Sequence, residues 1–268
     1  FKMGLKDIDK NNLIKNRAIL EFLENIGSYH SDLAGYGANY TEKEGIAWVL
    51  VGWKLQVLKR PKYGQTLEIN TWAKTGSKVA TFRDFEIYDE DKNLCAIATS
   101  KWTMVDIRKG KITKITDDVI KAYEPEQKNL FPELDLEKLA IPTSFEHEIE
   151  YIVKRKDIDI NGHMHNLYYL DLAYEALPEE IYNKRPFDKV KIQYKKEMKL
   201  GDKVKCKFVN IEGKYVVVIF SEDEKNVHAI IELEKYKPTI GKIETYKKHL
   251  KNKIKFVKIK AGLKRKEK

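Results

Sequence analysis

Cysteine is nearly absent. Cys95 and Cys206 are the only two in 268 residues, too few for a disulfide framework or a thiolate zinc cluster, and in keeping with a reducing, cytoplasmic setting. No apolar run approaches the ~18 residues that a membrane helix requires, so no integral membrane segment is expected. No signal-peptide or transit pattern stands at the start, FKMG. Paired metal-ligand clusters, phosphate-binding glycine loops and RNA-binding signatures are also missing, so neither a metal, another cofactor nor nucleic acid is expected.

Charge of one sign is scarce outside one place. The net charge is +10, but residues 251–268 hold nine Lys/Arg against one Glu, which leaves +2 for residues 1–250. The basic character therefore belongs to the tail, which could be a solvated terminus, an added edge strand or an arm for an acidic partner.

What the chain does have is a repeat. Residues 6–19 read KDIDKNNLIKNRAI and residues 156–169 read KDIDINGHMHNLYY. Lys6, Asp7, Ile8, Asp9, Asn11, Asn16 and Leu20 recur 150 positions later as Lys156, Asp157, Ile158, Asp159, Asn161, Asn166 and Leu170. Further on, Lys54-Leu55-Gln56, Lys59, Lys62 and Gly64 match Lys191-Ile192-Gln193, Lys196, Lys199 and Gly201 at an offset of 137, and Lys92-Asn93 matches Lys225-Asn226 at 133. The shrinking offset places the extra residues of the first copy in connections, chiefly SDLAGYGANYTEKEG at residues 31–45.

Each copy has the same order of elements. Ile19, Phe22, Leu23, Ile26, Tyr29 and Leu33 recur at three- and four-residue steps, which predicts a core-facing helix over residues 13–33. Leu167, Leu170, Tyr174 and Leu177 predict its counterpart, closed by Pro178. Asp7/Asp9 and Asp157/Asp159 stand where helix caps are expected. Strand periods follow at residues 46–59, 65–75, 78–89 and 93–106, and again at 189–198, 202–209, 214–221 and 227–236. An apolar helix followed by a meander is best buried if the sheet curls around it, and two such α+β units would pair their sheets. The expected division is a first unit at 1–106, a linker at 107–143, a second unit at 144–250 and the basic tail at 251–268.

The broken symmetry of the repeat points to chemistry. Asp159 and Asn161 have equivalents in Asp9 and Asn11, so each is open to a capping reading as well as a catalytic one. His163 stands opposite Leu13, and Glu197 opposite Arg60. A histidine and a glutamate present in only one half suggest an acid/base pair assembled once. His163 and His165 also form an H-x-H pair, but at a helix start they diverge by about 200°, which disfavours a shared metal.

With these motifs in hand, the chain resembles the acyl-[acyl carrier protein] thioesterases. The carrying segments are GYGANYTEKEGIAWVLVGWKLQVLKRPKYGQTLEINTWA and KWTMVDIRKGKITKI in the first half, and DINGHMHNLYYL and YKKEM in the second. The resemblance implies a tandem (double) hot-dog fold, with each unit a long helix wrapped by a curved antiparallel sheet. It also implies a hydrolase that releases fatty acid from carrier protein, and places the family's catalytic aspartate, asparagine, histidine and glutamate on Asp159, Asn161, His163 and Glu197. Met198 departs from members with a cysteine there, so a water-based mechanism is implied. The lack of a transit segment points to the bacterial branch.

The first half is expected to hold the acyl chain and the second to do the chemistry. The expected partner is the acidic acyl carrier protein, with Lys59-Arg60-Lys62, Lys195-Lys196-Lys199 or the tail as contacts. The chain would be a pseudo-dimeric monomer, free to dimerise further. An acyl-CoA thioesterase, a hot-dog hydroxyacyl dehydratase and a non-catalytic acyl-binding protein are the rival readings.

Overall fold

The computed structural model describes residues 1–133 and 135–235. The expectations placed on residues 236–250 and on the basic tail lie outside the described residues.

The first half opens with a bridge, Lys2 to Thr66, and a 3-10 turn at Leu5–Asp7. Then come α1 (Asn16–Leu33), α2 (Ala38–Glu44), β1 (Ile46–Val57), β2 (Glu68–Lys74), β3 (Thr81–Tyr88) and β4 (Leu94–Asp106). β5 (Lys111–Thr113) and α3 (Asp117–Ala122) lie in the connecting segment. The second half has β6 (His147–Ile152), α4 (Asn166–Glu175), the short α5 (Glu179–Tyr182), β7 (Lys189–Tyr194), β8 (Lys203–Ile211), β9 (Lys214–Ser221) and β10 (Val227–Glu234). The expected strands are all present, each within a few residues.

The strands form one antiparallel sheet in the order β2-β3-β4-β1-β7-β10-β9-β8-β6, with β5 beside β4. The halves meet where β1 pairs with β7. In that pairing Lys54 faces Lys191, its own counterpart in the repeat, so the pseudo-twofold axis passes through this pair. Two lysines forced together repel, and acidic residues relieve them: Lys54 meets Glu133 at 2.7 Å, and Lys191 meets Glu137 at 2.8 Å and Glu232 at 3.0 Å. The connecting segment thus crosses the outer face of the sheet at the junction.

Both helices lie on one continuous core. Ile19, Leu20, Phe22 and Leu23 of α1 and Leu167, Leu170 and Leu172 of α4 pack with Trp53, Leu55, Phe85, Val190, Ile192 and Ile231 of the sheet. Burying each such side chain contributes about 1.5–3 kcal/mol. The α1 stripe ends sooner than its periodicity predicts, since Tyr29 and Leu33 are exposed. Residues 31–45 also carry α2 instead of plain loop. With α3 they add a second apolar cluster found in the first half, where Met104, Ile115, Val119 and Tyr123 pack against Tyr36, Tyr40 and Trp48.

The expected helix caps are corrected by the structure. α1 and α4 are preceded by Lys15 and His165, not by aspartate. Asp7 and Asp157 instead close the 3-10 turns, taking the N–H of Gly4 and of Lys154, each at 2.8 Å. Asp9 and Asp159 close the next turn, as described below. The aspartates cap turns that lead into the helices, nine and seven residues upstream of where the periodic helices begin.

Candidate active site

The Asp159 turn is built identically in the two halves. The Asp159 carboxylate accepts from the N–H of Asn161 at 2.8 Å and of His163 at 3.4 Å, while its own N–H donates to the His163 carbonyl at 2.8 Å. In the first half Asp9 accepts from Asn11 at 2.8 Å and Leu13 at 3.0 Å, and its N–H donates to the Leu13 carbonyl at 2.8 Å. The tight reversal needs a left-handed residue, supplied by Gly162 at φ 78° and by Asn12 at φ 59°. Asp159 is therefore a turn-former by geometry, whatever else it does.

A second shared bond brings the far strand end to this turn. The Met164 N–H donates to the Met198 carbonyl at 2.8 Å, as the Ile14 N–H donates to the Pro61 carbonyl at 3.1 Å. The Met198 N–H is held in turn by the Tyr169 hydroxyl at 3.1 Å. These bonds fix residue 197 beside residue 163, and residue 60 beside residue 13. In the second half His163 Nε2 lies 3.3 Å from Glu197 Oε1, with both side chains reaching solvent. Asn161 is exposed and leans on Asp159 through Nδ2 at 3.3 Å. The four residues singled out in the sequence are thus gathered at one turn.

The equivalent corner of the first half is structural. Arg60 is buried, donating from Nη1 to the Ile14 carbonyl at 2.9 Å and from Nη2 to the Phe187 carbonyl and to Asp188. It joins the halves where Glu197 would stand. This corrects one expected carrier contact: within Lys59-Arg60-Lys62, Arg60 is inside and Lys59 is held by Asp89 at 2.6 Å. Lys195, Lys196 and Lys199, which flank Glu197, are exposed and make no ion pair among the described residues.

The two histidines serve different partners. His165 caps α4, its Nδ1 accepting from the Leu167 N–H at 3.2 Å, and its Nε2 stands 3.7 Å from Glu24 Oε2 of α1. The Leu167 N–H at the start of α4 is taken by this ring and is not open to a developing oxyanion. Glu24 was missed in the sequence. Its carboxyl is pushed up from the ordinary 4.5 to about 8, first by burial and then by Glu21 and Asp159, against the pull of Arg17. The folded chain then keeps a proton that the unfolded chain gives up above ~4.5, so stability falls as pH rises through this window toward 8. Glu24→Gln removes that dependence. Thermal melts are expected to show the variant gaining on the wild type as pH rises from 4.5 to 8.5, and a constant difference would contradict the assignment.

No thiol is poised for attack among the described residues. Cys95 and Cys206 are buried, and burial pushes their thiols up to about 11 and about 12. Met198, next to Glu197, is fully buried. Another buried group that sequence reasoning passed over is Arg83 in β3, whose Nη1 lies 2.7 Å from His30 Nδ1 and 3.2 Å from Thr71 Oγ1. Its stem passes Gly27 of α1, where a Cβ would stand in ordinary contact, 3.5 Å from Arg83 Cδ.

Known proteins match this arrangement over most of the chain. The family model for the acyl-ACP thioesterase N-terminal domain matches residues 1–123, and that for the C-terminal domain matches residues 142–235. Oleoyl-acyl carrier protein thioesterase 1, chloroplastic, of Arabidopsis thaliana is 25% identical over 220 residues, covering 76% of this chain and 61% of that protein. Palmitoyl-acyl carrier protein thioesterase, chloroplastic, of Gossypium hirsutum is 26% identical over 170 residues, 61% of this chain and 41% of that protein. The chain spans about half to three fifths of the length of such curated relatives.

Among solved structures, an acyl-ACP thioesterase from Bacteroides thetaiotaomicron superposes with a TM-score of 0.78 at 20% identity, covering 87% of this chain and 95% of that one. The 12:0-ACP thioesterase from Umbellularia californica superposes with a TM-score of 0.78 at 16% identity, covering 87% and 94%. At such identity these two establish the shared fold, the double hot-dog. With both family domains matched in order, the chain belongs to the acyl-ACP thioesterase family.

Proposed function

We propose that this chain hydrolyses the thioester of a fatty acyl group carried on acyl carrier protein, releasing free fatty acid and carrier thiol. The observation that carries the reading is the His163–Glu197 contact at 3.3 Å, made on a scaffold whose other copy holds Leu13 and Arg60 in the same places. Family membership supplies the substrate class, and the site supplies the means.

In this reading Glu197 and His163 hold a water between them and the thioester. They take its proton as its oxygen bonds to the carbonyl carbon. The second N–H of the Asn161 amide, beyond the one given to Asp159, polarises the carbonyl oxygen. Collapse of the tetrahedral adduct breaks the C–S bond, and the proton held by the pair goes to the departing sulfur. Asp159 keeps the turn closed throughout. The first half is assigned the acyl chain, between α1 and β2–β4. Lys195, Lys196 and Lys199 around Glu197 suit an acidic carrier better than the Lys59–Lys62 corner does.

The test is a panel of acyl-carrier-protein and acyl-CoA thioesters of graded chain length, reading free thiol and free fatty acid. Release of both from carrier-protein thioesters is expected. Loss of water from a 3-hydroxyacyl substrate without thiol release, or binding without turnover across the panel, would overturn the reading.

A further inference from the structure

A cavity of about 250 Å³ lies between α1 of the first half and the turn leading into α4 of the second, walled by Arg17, Glu21 and Glu24 on one side and Asp159, His165 and Tyr168 on the other. We propose that this cavity seats the neutral, amide-bearing pantetheine arm of the thioester's carrier, with Glu24 and His165 as its hydrogen-bonding partners. This deepens the thioesterase reading and rests on it for the identity of the arm.

The charged groups at the cavity already have partners. Arg17 reaches Glu21 at 3.2 Å and Asp171 at 2.8 Å, and Lys156 is bound to Asp157 at 2.8 Å. A charged ligand would have to break these pairs, whereas a neutral one with amide groups would not. Unmet hydrogen-bonding capacity lies on Glu24 and His165, and on Arg17 Nε, which is ion-paired with Asp171 without a hydrogen bond. Glu24 Oε1 is buried with no hydrogen-bond partner, and Oε2 stops 3.7 Å short of His165 Nε2. Because His165 Nδ1 accepts from the Leu167 N–H, the neutral ring carries its proton on Nε2 and is a donor there. Burial also lowers the His165 pKa, which keeps the ring neutral, and raises that of Glu24 to about 8, which keeps the carboxyl a donor as well. Arg17 and Glu21 of α1, Asp159 of the turn and Tyr194 of β7 are the charged and titratable groups that act on Glu24 or respond to it.

Position gives the pair its use. Asp159 lines the cavity and at the same time holds the N–H of His163, so the cavity abuts the reacting corner. An arm lying in it would deliver its sulfur end to the Asp159–His163 turn. Glu24 comes from the half that lacks the acid/base pair, so the seat exists only where both halves meet. Acyl carrier protein and coenzyme A present the same arm, and the seat reads what they share.

The test is calorimetric titration of the full chain with pantetheine itself, independent of turnover. The wild type is expected to bind. Glu24→Leu and His165→Asn are each expected to bind about tenfold more weakly, the worth of one hydrogen bond, and asparagine keeps the helix cap. Glu24→Gln, which keeps a donor and an acceptor, is expected to stay within about threefold of the wild type. For hydrolysis, the KM for an acyl-pantetheine relative to that for the same acyl group on ethanethiol is expected to rise about tenfold in Glu24→Leu. Should that variant fail to fold, His165→Asn carries the same comparison. No pantetheine binding by the wild type, or equal binding in all four proteins, overturns the proposal. Hydrolysis that persists without such binding leaves the thioesterase reading standing, while binding that depends on Glu24 without any hydrolysis keeps the seat and removes that reading.

Discussion

Replacing Glu197 or His163 with alanine is expected to lower kcat on an acyl-carrier-protein thioester by about 100-fold or more, while thermal unfolding shifts little. Both side chains reach solvent and neither carries core packing, so their loss leaves the fold intact. If they act as a unit on one water, the double variant is scarcely slower than either single one, because removing one partner already abolishes what the pair does. Losses that multiply would mean that the two residues work in separate steps. Steady-state kinetics on the three variants decide between these outcomes.

Arg60→Leu is expected to act in the opposite sense, on stability more than on chemistry. The guanidinium is buried at the seam, where it satisfies the Ile14 and Phe187 carbonyls and pairs with Asp188 at 3.2 Å. Removing it takes a charged donor from the buried Ile14 carbonyl, leaves the Phe187 carbonyl with Asn16 Nδ2, and breaks the contact with Asp188, at a cost of about 3 kcal/mol or more. For a chain of this size that corresponds to a drop of roughly 6–12 °C in Tm. The same position in the second half is Glu197, so Glu197→Ala and Arg60→Leu form a matched pair. One should lose turnover and keep its Tm, and the other should lose Tm while the folded fraction keeps its turnover. A Tm for Arg60→Leu within about a degree of the wild type would mean that the seam is not held there.

Much of this was legible in the sequence because duplication offers an internal comparison. Offsets of 150, 137 and 133 located helices and strands without any structure, and the pairing of Lys54 with Lys191 shows that the repeat is also the symmetry of the fold. His163 and Glu197 stood out because their counterparts differ in chemistry. Asp159 could not be resolved that way, since a turn-former and a catalytic neighbour leave the same mark in both copies. Caps were misplaced for a related reason. An aspartate before an amphipathic stretch reads as a helix cap, whereas the chain inserts a closed turn between Asp159 and the helix that starts at Asn166.

Other features had no local signature. Glu24 lies on α1 among ordinary polar positions, and only the fold brings it to His165, far along the chain. Arg60 read as part of a basic surface cluster because burial at a seam depends on the other half. Tyr29 and Leu33 keep the helical period yet face solvent, while the last turn of α1 meets the sheet through His30, which contacts Arg83 of β3. Periodicity reports which face of a helix is apolar, and not how far the covering surface reaches.

The central claim is that water, activated by His163 and Glu197 at a single corner of the double scaffold, attacks the thioester directly. A single-turnover reaction in ¹⁸O-water with acyl-carrier-protein thioester, quenched at intervals, tests it most directly. The account predicts one ¹⁸O in the released fatty acid, no acylated protein at any time, and loss of the reaction in Glu197→Ala. Accumulation of an acylated protein, or an undiminished reaction in Glu197→Ala, would contradict it.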